Sequence, residues 1–171
     1  MSEDIGVRDI RISETGDYDE LVVFFIENGL EFSAEEEVPT DLVKCWKAEE
    51  ERGGVFDDEG SAVVVGNPPK LVGGCVLAKR EGHFICDGIA TDLSVRGQGV
   101  GERLLFAMID EVRALGDDAL YLVARAPGFF AKHGFVAVPR DAAPTFFECF
   151  SCSQYGVSCR PEVMRLDIQH E

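Results

Sequence analysis

Three glycines placed behind an arginine, Arg96-Gly97-Gln98-Gly99-Val100-Gly101, separate an apolar run ending at Thr91 from a stretch with helical periodicity. Few features restrict a chain's folding options more. Glycine reaches positive φ and lets a ligand approach the main chain with no Cβ in the way. A helix beginning there turns its unpaired N–H groups and the positive end of its dipole toward one point. Strand, glycine turn and helix in that order make an anion cradle, and phosphate or pyrophosphate is its usual occupant.

Spacing alone leaves two other readings. One is a tight strand-to-helix turn that binds nothing. The other is a dinucleotide-binding βαβ unit, which wants a third glycine where this chain has Glu102, and an acid about 20 residues further on. Asp117 and Asp118 stand at that spacing, but they precede the apolar run Ala119–Ala124 and so lie at the wrong end of that strand. No train of further βα units follows.

Along the rest of the chain, Ile5–Ile12 alternates as a first strand. Thr15–Asn28 reads as a helix with Thr15 as N-cap and Gly29 closing it. Thr40–Arg52 reads as a second helix, stopped by Gly53-Gly54. Ser61–Val65 and Leu71–Lys79 are expected to form a hairpin around Asn67-Pro68-Pro69. Glu81-Gly82 turns into Phe84–Thr91, apolar on both faces like a buried central strand. Val100, Leu104, Leu105, Met108, Ile109, Val112 and Leu115 stripe one helix, which Gly116 stops. Ala119–Ala124, Phe135–Val138 and Val163–Ile168 read as strands, and Ala126–His133 as a short helix. The expected class is α+β: one mixed central sheet of about seven strands with helices on both faces.

The chain's 171 residues, 46% of them hydrophobic, suit one domain over 1–171. Its 32 acids against 16 bases give a formal charge of −16, which repels nucleic acid and anionic membrane surfaces. The same field opposes a polyanionic cofactor, so a local basic patch is required; Arg96 and Arg103 flank the loop, with Arg125 and Lys132 nearby. The apolar run Leu21–Ile26 is far short of a membrane span. The opening Met-Ser-Glu-Asp has neither a basic region nor a secretory apolar core, so cytoplasmic residence is the expectation.

The loop fits the pyrophosphate motif of the GNAT acetyltransferases, Arg/Gln-x-x-Gly-x-Gly/Ala, at every defined position. Ile85-Cys86-Asp87-Gly88-Ile89-Ala90-Thr91 resembles that family's fourth strand. Pro127-Gly128-Phe129-Phe130-Ala131-Lys132-His133-Gly134-Phe135 resembles its second segment, a short helix ending in Gly-Phe. The resemblance spans residues 5–168. It implies the acyl-CoA N-acyltransferase fold and direct transfer of the acetyl group of acetyl-CoA to the amine of a small molecule or amino acid. Carried across, backbone groups of Ile89, Ala90 and Thr91 would bind the acetyl and pantetheine part. The N–H groups of Arg96, Gly97, Gln98, Gly99, Val100 and Gly101 would hold the pyrophosphate. The family's usual general acid is a tyrosine; here that position is Phe130, so the thiolate would leave unaided or through water, and Phe129 and Phe130 read as packing, with the Phe130 ring a candidate contact for the cofactor arm. The family includes many dimers, so a homodimer is admitted.

The candidate bases are His83 and Asp87, four apart on a strand and so on one face. His83 stands where several family members carry a glutamate, and an imidazole suits proton shuttling near neutral pH; it reads as well as an exposed histidine at a strand end with no part in the chemistry. Asp87, deeper in an apolar strand, reads equally as a base or as a carboxylate accepting nearby backbone N–H groups. Cys45, Cys75 and Cys86 read as buried thiols. Cys149, Cys152 and Cys159 have metal-like spacing, yet zinc wants a fourth ligand. His170 would sit some ~27 Å away if the intervening strand stays extended, leaving His133 or a partner chain; free thiols or a redox disulfide are the other readings. This cysteine-containing segment, 149–159, together with the Phe-Phe-x-Lys-x-Gly-Phe run, is similar to short N-acetylglutamate synthase-type members of the family, which implies glutamate as an acceptor. Against glutamate, an anionic substrate needs basic partners and the overall field favours a cationic amine. A non-catalytic acyl-CoA or metal/redox sensor on the same fold, and a peptide or protein N-acetyltransferase, are the alternatives.

Overall fold

The computed structural model describes residues 10–30, 41–51, 55–56, 58–59, 62–63, 69–124, 127–139 and 162–169. Along the chain run β1 (Ile10–Thr15), α1 (Tyr18–Glu27), β2 (Leu42–Glu50), β3 (Val55–Phe56), β4 (Ala62–Val63), β5 (Lys70–Arg80) and β6 (His83–Thr91). After them come α2 (Val100–Ala114), β7 (Ala119–Ala124), α3 (Pro127–Ala131), β8 (Val136–Ala137) and β9 (Glu162–Asp167). Seven strands form one sheet in the order β1-β2-β5-β6-β7-β9-β8, and β3 with β4 forms a separate two-stranded sheet. Every pair in the large sheet is antiparallel except β6 with β7, which is parallel. The fold is the mixed α+β sheet expected.

Helices cover both faces. On one, α2 lays Leu104, Leu105, Met108 and Val112 over Trp46, Leu77, Phe84, Leu120 and Met164. On the other, Leu21, Phe24 and Phe25 of α1 pack on Cys45 and Val76. Gly73 and Gly74, adjacent on β5, set how closely both layers approach. A methyl on Gly73 would lie 3.0 Å from Leu104 Cδ1, and one on Gly74 only 2.5 Å from Leu21 Cδ2. Bare backbone in the middle of the sheet therefore lets a helix seat on each side.

Four expectations need correction. The helix expected over Thr40–Arg52 is strand β2. Its Leu, Lys, Ala and Glu residues favour helix weakly, but pairing with β1 on one edge and β5 on the other outweighs propensity. Its buried residues are split, Trp46 joining the α2 side and Cys45 the α1 side, as only an extended chain allows. Among the described residues the expected hairpin between Ser61–Val65 and Leu71–Lys79 is not formed either: β4 pairs with β3, while β5 lies between β2 and β6. Finally α1 is capped by Asp17, whose carboxylate accepts from Glu20 N–H at 3.0 Å, and Thr15 supports that cap by accepting from Asp17 N–H. Gly29 does close the helix, at φ 86°. Leu115, expected in the α2 stripe, lies beyond the helix end and is half exposed.

Candidate active site

The glycine loop is built from its own short-range bonds. After β6 the chain makes one turn of 3₁₀ helix, Leu93–Val95, entered by Asp92, whose carboxylate accepts from Ser94 N–H at 2.9 Å. Those hydrogen bonds, with Lys70 and Arg96 nearby, hold the Asp92 carboxyl below its ordinary pKa. Asp92 N–H reaches back to Val72 O on β5, and the Gln98 side-chain amide donates to Ser94 O. The loop is thus tied at both ends before any ligand arrives.

What it leaves open decides its chemistry. Arg96 N–H and Gln98 N–H are used inside the turn, donating to Leu93 O and Val95 O. The N–H groups of Gly97, Gly99, Val100 and Gly101 find no acceptor among the described residues, as a helix start requires unless something caps it. Gly99 is the residue before α2, in the left-handed region at φ 78° with no side-chain cap. Gly97 is also left-handed at φ 82°, and a Cβ on either would point into open space. Four free amides, a 15-residue helix dipole and room for a ligand together fit a diphosphate. Arg96 is exposed beside them. Arg103 is not part of the patch expected of it, because its guanidinium donates to Ile10 O on β1.

A second opening lies alongside. β6 and β7 pair only at Phe84–Leu120 and Ile85–Tyr121; beyond those rungs the two parallel strands have no ladder between them, while β5 continues to pair β6 up to Thr91. Main-chain groups of β6 from Cys86 onward therefore border a gap. Ile89, Ala90 and Thr91 lie along it, partly exposed, and lead directly into the loop. On the α3 side, a methyl at Gly101 would lie 3.5 Å from Phe129 Cζ and 3.6 Å from Thr91 Cγ2. It is thus Phe129 that faces the junction of β6 and α2. Phe130 packs instead into an aromatic cluster against Phe129 and Phe135, and has no hydroxyl. One residue's phase on so short a helix is not readable from sequence.

The face of the sheet opposite α2 carries the titratable groups. His83, exposed at the start of β6, sets its ring edge-on to Tyr121 at 5.3 Å between centroids. Arg165 lies over the other partner of that contact, 5.6 Å from the Tyr121 centroid, and is itself bonded to Asp167. Asp87 does lie on the same face as His83, some ~13 Å along the strand, but its partner is neither expected one. Both carboxylate oxygens accept from Arg80, at 3.0 and 3.1 Å, and Arg80 Nε donates to Asp41. Burial opposes the Arg80 charge, but the bonds to Asp87 and Asp41 overcome it and hold its pKa above the ordinary arginine value. Asp41 Oδ1 is buried with no partner among the described residues. Sequence reasoning missed Arg80 and had no means of placing Tyr121; both reach the site from neighbouring strands.

Cys45, Cys75 and Cys86 are buried thiols; burial pushes Cys45 up to about 11 and Cys86 up to about 12. Cys149, Cys152, Cys159 and His170 lie outside the described residues, and among the described residues no group of three or more metal-type ligands comes together.

The model of the acetyltransferase (GNAT) family matches residues 23–135. Among solved structures, the chain resembles N-acetylglutamate synthase from Neisseria gonorrhoeae, complexed with coenzyme A and N-acetyl-glutamate: 20% identity, TM-score 0.62, covering 94% of this chain and 35% of that one. The chain thus spans about a third of that synthase's length. It also resembles the ribosomal-protein-S18-alanine N-acetyltransferase from Escherichia coli, with 19% identity and TM-score 0.61 over 95% of this chain and 96% of that one. An acetyltransferase of the family from Staphylococcus aureus gives 16% identity and TM-score 0.61, over 94% and 99%. Identities this low speak for the fold. No curated protein matches the chain.

Proposed function

The chain belongs to the acetyltransferase (GNAT) family, and from that premise we propose that it transfers acetyl from acetyl-CoA directly to the amine of a small molecule or amino acid. The observation that carries this reading is the set of free amides at Gly97, Gly99, Val100 and Gly101 beside the unpaired edge of β6. The diphosphate would sit on those amides. The pantetheine arm would then run back along Thr91, Ala90 and Ile89, bringing the thioester toward Asp87 and Gly88, where the gap begins. Phe129 would close the arm on the α3 side.

An acceptor amine enters from the face that α2 does not cover, where His83, Tyr121 and Asp87 lie. The amine must lose a proton to attack, since alkyl amines are mostly protonated at neutral pH. His83 is the proposed proton acceptor, through water given its distance along the strand. As the amine nitrogen bonds to the carbonyl carbon, the carbon–sulfur bond breaks and the thiolate takes up a proton from solvent, Phe130 having none to give. Main-chain N–H groups near the gap would stabilise the carbonyl oxygen as it gains charge. Cytoplasmic residence belongs to this reading; among the described residues, no helix is long and apolar enough to cross a membrane.

One feature bears on the acceptor. The two arginines beside Asp87 and Tyr121 are already matched, Arg80 by Asp87 and Asp41 and Arg165 by Asp167. A glutamate carboxylate would have to displace a protein carboxylate, which weighs toward a cationic or neutral amine. Thiol release from acetyl-CoA across simple amines, amino acids including glutamate, and basic peptides tests the proposal. Turnover with a small amine supports it. Turnover with peptides alone transfers the reading to a protein acetyltransferase. Binding of acetyl-CoA without turnover favours a sensor.

A further inference from the structure

Asp87 is the extra residue of a β-bulge. Val76 of β5 pairs with Gly88 and the next rung joins Leu77 to Cys86, so Asp87 has no rung of its own. The insertion exchanges the faces of everything that follows. Before it, Ile85 packs with Tyr121 and Val163, while Phe84 and Cys86 face α2; after it, Ile89 packs on the α2 side and Ala90 on the α1 side. Loss of the bulge, with the strand beyond it slipping by one residue, would invert Gly88–Thr91 and turn their main-chain groups away from the gap. Its flanking residues, Cys86 and Gly88, are small and offer little side chain to resist such a slip. What grips the bulge is the Asp87 side chain, held by both terminal nitrogens of Arg80, whose Nε holds Asp41 at the entry of β2. One guanidinium thereby fastens three strands at the point where the gap opens.

We propose that Arg80 is a positioning residue for acetyl transfer: through Asp87 it fixes the register of the β6 bulge, and so the aim of the main chain at Gly88–Thr91 into the opening. The proposal rests on the acetyl-transfer reading above. It also assigns Asp87 to this clamp, with both oxygens occupied, and leaves proton acceptance to His83. Lysine cannot replace Arg80, because an ammonium has no planar fork to hold both carboxylate oxygens while binding a third group.

The test uses Arg80→Lys, which keeps the charge, with Asp87→Asn as the second variant. Arg80→Lys should melt near the wild-type temperature and still hold coenzyme A through the independently held glycine loop, its affinity falling far less than its kcat because only the contacts along Ile89–Thr91 are disturbed. Its kcat should fall on the order of a hundredfold, the scale of a roughly 1 Å misplacement. Hydrogen exchange at Cys86–Thr91 should accelerate while Asp92–Gly101 keeps its rate. Asp87→Asn should give the same pattern, and the double variant should be no worse than the poorer single, as expected of one shared interaction. Wild-type kcat with unchanged exchange at Cys86–Thr91 overturns the proposal. So does a loss of kcat that acetyl-CoA affinity and melting temperature follow in step, or additive losses in the double variant. The exchange measurement needs no turnover. A wild-type protein inert toward every amine would therefore count against acetyl transfer, while faster or unchanged exchange still decides the role of Arg80.

Discussion

Alanine substitutions at the three loop glycines should separate backbone strain from ligand contact. Gly99 sits at φ 78° with open space where a Cβ would go. Gly99→Ala therefore meets no clash and costs only the left-handed strain, about 1–2 kcal/mol. In a domain of this size each kcal/mol moves Tm by about 2–4 °C, so the variant should melt roughly 2–8 °C lower. Gly97→Ala, at φ 82° and equally open, should behave alike. Gly101 differs: it lies inside α2, and its methyl would meet Phe129 Cζ at an ordinary 3.5 Å. Gly101→Ala should cost nothing or gain up to about 1 kcal/mol from helix propensity. Melting with and without acetyl-CoA supplies the second readout. Ligand at a hundredfold its Kd stabilises by about 2.7 kcal/mol, roughly 5–11 °C on the same scale. Wild type and Gly101→Ala should show that increment; Gly99→Ala should lose most of it, because its methyl occupies the cradle. A Gly99→Ala protein with wild-type Tm and the full increment would refute the reasoning. So would Gly101→Ala losing as much as Gly99→Ala.

Other substitutions test other links. His83→Gln should lower kcat by roughly 10²–10⁴-fold with acetyl-CoA binding retained; an unchanged kcat removes His83 as proton acceptor. Gly74→Ala drives a methyl to 2.5 Å from Leu21 and must displace α1, at about 1–3 kcal/mol of overpacking, read as a lower urea midpoint; an unchanged midpoint contradicts the seating of α1. The buried thiols predict alkaline destabilisation. With Cys45 raised to about 11 and Cys86 to about 12 from an ordinary value of 9.0, the unfolded chain sheds these protons first as pH rises. The folded state then binds more protons, so stability falls from about pH 9 upward until the folded thiols ionise. Denaturation midpoints at pH 7 through 10 should show that decline, and peptide mapping should find all three thiols unalkylated until unfolding. Native-state alkylation of Cys86 would contradict its burial.

The parts that could be read from sequence were those where local pattern and tertiary role agree. The 100–114 helix has an apolar stripe, a glycine start and a glycine stop, so its bounds were legible, as was the strand Ala119–Ala124. Thr40–Arg52 was not, because its residue types lean helical and only the partner strands on both edges impose extension. The loop announced itself through glycines whose left-handed φ no other residue reaches cheaply. That four of its amides stay free, while those of Arg96 and Gln98 do not, is set by the preceding 3₁₀ turn and carries no residue signature. Asp87 was visible as an acid in an apolar strand. Its arginine was not, since the pair depends on how β5 and β6 are registered against each other, which no local pattern reveals.

The most direct measurement follows backbone amide resonances of nitrogen-15-labelled protein as coenzyme A is added. Binding of the diphosphate by the loop predicts saturable downfield shifts at Gly97, Gly99, Val100 and Gly101, with Arg96 and Gln98 moving less. Binding that leaves those four amides unmoved and shifts residues elsewhere would contradict it.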